Sequence, residues 1–137
     1  NLREMMSFAT PIIAIVIGEG GSGGALGVGV ADRLSVLENS YYSVISPEGC
    51  AAILWKDGAK APQAAEVLKL TGPDLLKMGL IDEVIQEPLG GAHRDAQKIA
   101  ASVKETILKN LKELEALDKK ELLENRYKKF RAMGVIG

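Results

Sequence analysis

The stretch Ile15 to Gly27, IVIGEGGSGGALG, runs from β-branched residues into six glycines within ten positions. Glycines bring no reactive side chain; what they expose is backbone. Where such a run opens a helix, the first N–H groups lack intrahelical partners and sit at the positive end of the helix dipole. Without a Cβ in the way, a developing oxyanion can come within hydrogen-bond distance of two of them. Gly18, Gly20 and Gly23 also satisfy the G-x-G-x-x-G spacing, and Glu38 follows twenty positions after Gly18, the context of a dinucleotide-binding turn. Three features oppose that reading. The following helix is short and contains Gly27 and Gly29, each costing about 1 kcal/mol of helix stability. Glu38 is followed at once by Asn39-Ser40 and a second strand, a hairpin-like β-β step. Only one further strand pattern remains, too few for a second mononucleotide half.

Side-chain chemistry around the glycines is sparse. The chain has one histidine, His93, and one cysteine, Cys50, so no Ser-His-Asp arrangement can be drawn, no internal disulfide can form, and the ligands for a zinc cluster are lacking. Ser22, between the glycine pairs, reads as a helix cap more than as a nucleophile. Glu19, beside the loop, is a carboxylate that can act as a base or orient the turn. His93 reads as an anchor for the loop before the last helices, and Cys50 as a core thiol. Any chemistry then leans on main-chain N–H groups of the glycine run, on carboxylates, or on a cofactor that brings its own base. Gly20, Gly21 and Ser22 complete the candidate binding surface.

The elements that must position this turn are legible from periodicity. Pro11 to Ile17 is a continuous apolar run that predicts a strand buried on both faces of a largely parallel sheet. Gly24 to Asp32 predicts a short helix; Arg33–Glu38 and Tyr41–Ile45 predict two strands separated by Asn39-Ser40. Ser46-Pro47-Glu48 is a strong helix start, and further helices are predicted over Ala61–Leu70 and from Gly72 to Gly79. Ile81–Ile85 reads as a last short strand. After the loop Glu87–Ala92, Val103, Ile107, Leu111 and Leu114 predict one apolar face of a long helix. Asp118-x-x-Glu121, with Leu117 and Leu122 at the staple positions, opens a final one.

The 137 residues are 47% hydrophobic, enough for one modest core. There is no apolar run long enough for a membrane span and no signal-peptide pattern, which predicts a cytoplasmic protein. The helical pattern starting at Leu2 predicts that upstream sequence supplies more sheet. Charge is divided unevenly: residues 1–92 hold six Lys/Arg against eleven Asp/Glu, and residues 93–137 hold eleven against seven. The basic end (Arg126, Lys128, Lys129, Arg131) reads as a solvated helix face or as a surface for an anion or acidic partner. It lacks the aromatic interleaving of a nucleic-acid binder.

The segments GEGGSGGALGVGVAD (Gly18–Asp32), YYSVISPEGCAAILWKD (Tyr41–Asp57), KAPQAAE (Lys60–Glu66), LIDEVIQEPLGGAHRD (Leu80–Asp95) and NRYKKFRAMG (Asn125–Gly134) resemble the carboxyltransferase α-subunit family of bacterial acetyl-CoA carboxylase. SVISPEGCAAILWK and EPLGGAHR are more specific than the glycines, and the resemblance spans essentially the whole chain, as the C-terminal portion of a longer subunit. It implies an α/β fold of the crotonase/ClpP-like type, a ββα superhelix ending in a helical hairpin. Residues 1–92 would form part of the core and residues 93–137 the hairpin, packed on the core or on a partner.

It further implies transfer of the carboxyl group of carboxybiotin, held on a biotin carboxyl carrier protein, to acetyl-CoA, giving malonyl-CoA for fatty acid synthesis. Backbone N–H groups of Gly23 and Gly24 would stabilise charge on the biotin ureido oxygen. The implied partners are a zinc-binding carboxyltransferase β subunit in an α2β2 assembly, with biotin carboxylase and its ATP in the full complex. No metal is implied on this chain. Three alternatives stand beside it: a crotonase-type hydratase or isomerase using Glu19, a carboxyltransferase or decarboxylase for another acyl-CoA, and a purely assembling segment.

Overall fold

A computed structural model describes residues 1–134. Helix α1 (Leu2–Met6) leads to strands β1 (Ile13–Val16) and β2 (Glu19–Gly21) and helix α2 (Ser22–Gly29). Strands β3 (Arg33–Leu37) and β4 (Tyr41–Ser43) and helix α3 (Pro47–Trp55) repeat that order. Then come α4 (Ala61–Leu68), α5 (Gly72–Lys77), β5 (Glu83–Ile85), α6 (Ala96–Glu115) and α7 (Lys119–Ala132). The two strands of each strand-strand-helix unit enter different sheets. One sheet is parallel with order β1-β3-β5; the other pairs β2 with β4, also in parallel.

This arrangement corrects the hairpin-like step expected after Glu38, because β3 and β4 do not pair with each other. At the bend Ser40 is buried, and both its N–H and its hydroxyl donate to the Leu37 carbonyl, at 3.0 and 2.7 Å. The chain is thereby turned out of the first sheet, and the Tyr41 N–H donates to the Gly18 carbonyl at 3.0 Å. The same pairing makes Glu19–Gly21 a strand, where the sequence predicts only a loop. Its glycines have little intrinsic β preference, and the ladder to Tyr41–Ser43 supplies the order.

The run Pro11–Ile17 is also less buried than expected. Only Val16 of β1 is fully covered, because β1 is an edge strand; the central strand β3 holds Leu34, Ser35, Val36 and Leu37 at 2% exposure or less. Val16, Leu34 and Val36 pack with Leu75 and Ile81 in the main core, and a smaller cluster joins Cys50 and Ala51 to Ala64. Cys50 is thus a core thiol. Ser46 caps α3 as expected, accepting from the Gly49 N–H, with Pro47 in the first turn.

On α6 the buried line is Thr106, Asn110 and Leu114, and the expected Ile107 is 38% exposed. The helix is rolled toward polar partners on β5: Glu83 accepts from Lys109 Nζ at 2.8 Å and from Asn110 Nδ2 at 3.5 Å. Asp118 caps α7 through the Glu121 N–H, and Leu122 is buried. The basic end is not simply a solvated face. Arg126 is 1% exposed and makes a bidentate ion pair with Asp32, and Lys129 bonds Asp82 and the carbonyls of Ala31 and Asp32.

Tyr42 stands between β2 and α2. Its hydroxyl donates to the Ala25 carbonyl at 2.6 Å, and burial pushes its phenol up, keeping the donor protonated. A Cβ on Gly29 would lie 2.7 Å from that hydroxyl oxygen, and one on Gly20 would lie 2.9 Å from the ring. Gly29→Ala should therefore destabilise the fold by about 1–3 kcal/mol, read by urea unfolding of the complete subunit. Tyr42→Phe in the same background should recover part of that loss, since it removes the clashing atom. An unmoved unfolding midpoint for Gly29→Ala would contradict the packing.

Candidate active site

Strand β1 carries the chain up to Ile17, β2 crosses to the second sheet, and α2 starts immediately at Ser22, so the glycine run forms the apex of the first unit. The glycines there fall into two kinds. Gly20 and Gly29 lack a Cβ because Tyr42 occupies the space. Gly18, Gly23, Gly24 and Gly27 would place a Cβ within 4 Å of no other group. Packing explains the first pair and leaves the second set unexplained. Gly23 and Gly24 are exposed, in the first turn of α2, where backbone N–H groups lack intrahelical acceptors. The N-cap is Gly21, and no side chain caps the turn.

Ser22 is therefore not the cap that the sequence suggests. It is the first residue of α2, makes no capping bond, and holds φ at +54°, a conformation that costs a non-glycine residue about 1–2 kcal/mol. Gly21 and Gly24 wall a cleft of ≈ 380 Å³, together with Ile15, Val16, Ile17, Gly18, Glu19, Gly20 and Val28. Of the expected binding residues, Gly20 and Gly21 line this cleft and Ser22 is adjacent in sequence. Glu19 lies exposed on its wall and is the one carboxylate among the lining residues.

A second cleft, ≈ 540 Å³, meets the first at Ile17, whose side chain is 72% exposed. Its other walls are Asn39, Glu87, Gly90, Gly91, Ala92 and His93. Here the anchor is Glu87, which the sequence reading passed over. Its carboxylate accepts the Asn39 N–H at 2.9 Å and the Ala92 N–H at 2.6 Å, tying the loop to the β3–β4 bend. The signal was present in Glu-Pro-x-Gly-Gly: Gly90 and Gly91, at φ +89° and +104°, fold the chain back so that Ala92 faces Glu87. Partial burial pushes the Glu87 carboxyl up, but the bonds from Asn39 and Ala92 and the positive charge available at His93 outweigh it and hold it below its ordinary value. His93 is exposed with its ring beside Gly91, and the loop is anchored by Glu87 instead.

Among the described residues no group of three or more His, Cys, Asp and Glu is placed to hold a metal, and no helix is long and apolar enough to cross a membrane. Trp55 and Met78 are 37% and 47% exposed and lie outside the buried core.

Comparison with known proteins identifies the family. The family described as acetyl co-enzyme A carboxylase carboxyltransferase-like matches residues 1–134. Acetyl-coenzyme A carboxylase carboxyl transferase subunit alpha of Geobacter metallireducens is 59% identical over 133 residues, covering 97% of this chain and 42% of the relative. The proteins of the same name from Synechococcus elongatus and Staphylococcus epidermidis are each 57% identical, over 98% and 99% of this chain and 41% and 43% of theirs. The chain thus spans about two fifths of the length of these relatives. Among solved structures, the transcarboxylase 12S core with methylmalonyl-coenzyme A and methylmalonic acid bound superposes with a TM-score of 0.52 at 21% identity, over 78% of this chain and 22% of that one. That likeness concerns the fold: the strand-strand-helix units form the α/β crotonase-like architecture expected from the sequence.

The Glu87 carboxyl lies below its ordinary value of 4.5, so its contribution to stability is present above about pH 4.5 and is lost as pH falls through the lowered value. Glu87→Gln should remove that acid-side dependence. It should also cost about 1 kcal/mol at neutral pH and speed hydrogen exchange at the Ala92 N–H. Exchange there as slow as in the parent would show that the loop is held by something else.

Proposed function

The chain belongs to the acetyl co-enzyme A carboxylase carboxyltransferase-like family, and we propose that it is the C-terminal part of an α subunit that moves a carboxyl group from carboxybiotin to acetyl-CoA, forming malonyl-CoA. In this reading residues 1–92 belong to the carboxyltransferase core and α6 and α7, within residues 93–134, are a helical hairpin against it, the last three residues of the expected 93–137 lying outside the described residues. The observation that carries it is the pair Gly23 and Gly24: exposed, in a helix's first turn, uncapped by any side chain, and free of any neighbour that would require glycine.

The residues fit a small, flat, oxyanion-forming substrate. Two N–H groups at a helix start favour negative charge, and they need no reorganisation when it develops. The biotin ureido group, when bound, supplies the oxygen on which charge grows and a nitrogen able to take a proton. The chain's own part is then to hold Gly23 and Gly24 rigidly toward that oxygen. Gly20, Gly21 and Ser22 shape the approach, and Glu19 stands exposed on the cleft wall. No serine nucleophile or histidine base is needed; His93 lines the adjoining cleft and not the glycine-lined one.

The hydratase or isomerase reading through Glu19 is not favoured, since the relatives named above carry the carboxyltransferase name. The implied partners are a zinc-binding β subunit completing α2β2, the biotin carboxyl carrier protein and biotin carboxylase, in the cytoplasm. Exposed apolar side chains on α3 and α4, Ile53 at 70%, Leu54 at 61% and Val67 at 66%, support burial against other protein in that assembly.

Gly24→Ala and Gly23→Ala provide the test in the complete subunit assembled with its β partner. Alanine meets no protein atom at either position and gains up to about 1 kcal/mol of helix propensity, so stability should hold or rise. Carboxyl transfer should fall on the order of 100-fold, because an added methyl displaces what must approach the N–H groups. Parent-like turnover would refute the oxyanion role.

A further inference from the structure

Residues 12 to 32 form a loop closed at its base, with the glycine turn at its apex. The Asp32 N–H donates to the Ile12 carbonyl at 2.8 Å, the Ile12 N–H donates back to Asp32 Oδ2 at 2.7 Å, and the Arg33 N–H adds a bond to Ile12 at 3.3 Å. Strand β1 leaves this base on one side and α2 returns to it on the other, so the direction of α2 is set at both ends. The base is sealed from a distant part of the chain. Arg126 of α7 donates through Nε and Nη2 to both oxygens of Asp32, each at 2.7 Å, with side-chain exposures of 0% and 4%. Its remaining capacity goes to the carbonyls of Met5, Met6 and Phe8 through Nη1 and of Thr10 through Nη2, which fix the segment that feeds β1.

We propose that Arg126 is a positioning residue for the glycine turn: through Asp32 it fixes the far end of α2, and with it the placement of the Gly23 and Gly24 N–H groups. The inference rests on the oxyanion reading of that turn. Backbone donors have no side-chain torsion to adjust, so their placement is only as good as that of the helix that carries them. Lysine cannot replace this guanidinium, because a single ammonium cannot meet two carboxylate oxygens and four carbonyls in one plane. Lys129 lies near the same base, but it bonds the Ala31 and Asp32 carbonyls and Asp82, none of which closes the loop at Ile12.

The test uses the complete subunit assembled with its β partner, comparing Arg126→Lys, Asp32→Asn and Gly24→Ala. Arg126→Lys should assemble, yet lower kcat about 10- to 100-fold with KM for acetyl-CoA unchanged, the pattern of a misplaced transition-state contact. Asp32→Asn keeps the volume and an acceptor for Ile12, and carries the same expectation should the lysine variant fail to assemble. Guanidinium ion added to Arg126→Ala should restore part of kcat and should do nothing for Gly24→Ala. A purely structural role would lower the unfolding temperature and leave turnover per assembled site intact. That result, in both Arg126→Lys and Asp32→Asn and beside an inactive Gly24→Ala, would overturn the positioning role alone. Full turnover in Gly24→Ala would overturn the oxyanion reading, and this inference with it.

Discussion

A single guanidinium joins three parts of the chain that are far apart in sequence. Arg126 lies 94 residues from Asp32 and 121 from Met5, yet its three nitrogens bond the carboxylate of the one and the carbonyl of the other. Burying both charges costs several kcal/mol each, and the attraction between them offsets that cost only when geometry is good and the remaining donors are satisfied. Here all three nitrogens have acceptors, so the pair is permitted. Its net contribution need not be large. Removing one partner is another matter: an uncompensated buried charge costs about 3–5 kcal/mol. The consequence is specificity of arrangement. Alternative dockings of α7, which apolar packing alone would tolerate, leave a charge buried without a partner.

The first ββα unit is the part of the fold that this constraint disciplines. Its strands are short and its helix contains four glycines among eight residues, Gly23, Gly24, Gly27 and Gly29, so local propensity does little to hold it. Order comes from elsewhere: the parallel ladders to β3 and β4, the Tyr42 ring against Gly20, the Tyr42 hydroxyl on Ala25, and the stitched base at Ile12 and Asp32. A more helix-prone sequence would be more stable by itself and would carry side chains where the proposed oxyanion contact needs bare backbone. The surrounding structure supplies the rigidity that the glycines cannot.

Much of this could be read from the sequence, wherever the cause was local. Ser46-Pro47 and Asp118-x-x-Glu121 start helices because a side-chain oxygen finds N–H groups a few residues on, and both caps are present. The order of strands and helices apart from β2, and the glycine turn before a short helix, follow from composition in the same way. The missed features have causes distant in sequence. A β-β step looks alike whether it folds back or changes sheet, and Ser40 decides it by turning its hydroxyl onto Leu37. The burial of Thr106 and Asn110 on α6 depends on Glu83, 27 residues from Asn110. Arg126 among lysines looks like part of a solvated face until Asp32 is seen beneath it. Glu87 was passed over because its partners, Asn39 and Ala92, are reached only once Gly90 and Gly91 have reversed the chain.

The glycines show the same divide more sharply. Gly20 and Gly24 are four residues apart in one run and cannot be told apart by composition. One makes room for a tyrosine of the next unit, and the other borders open space. The second kind is not explained by packing, and a missing Cβ that no protein atom replaces leaves room for something else to approach. A site built this way has an unusual distribution of essential residues. In the proposed reading its working atoms are main-chain nitrogens common to almost every residue, so the identities that matter are those of side chains that set the backbone's position. On this chain those are Tyr42 against α2, Asp32 at the base of the unit and Arg126 behind it. None of the three lines the glycine cleft, and a search confined to cleft-lining reactive groups would find Glu19 and miss all of them.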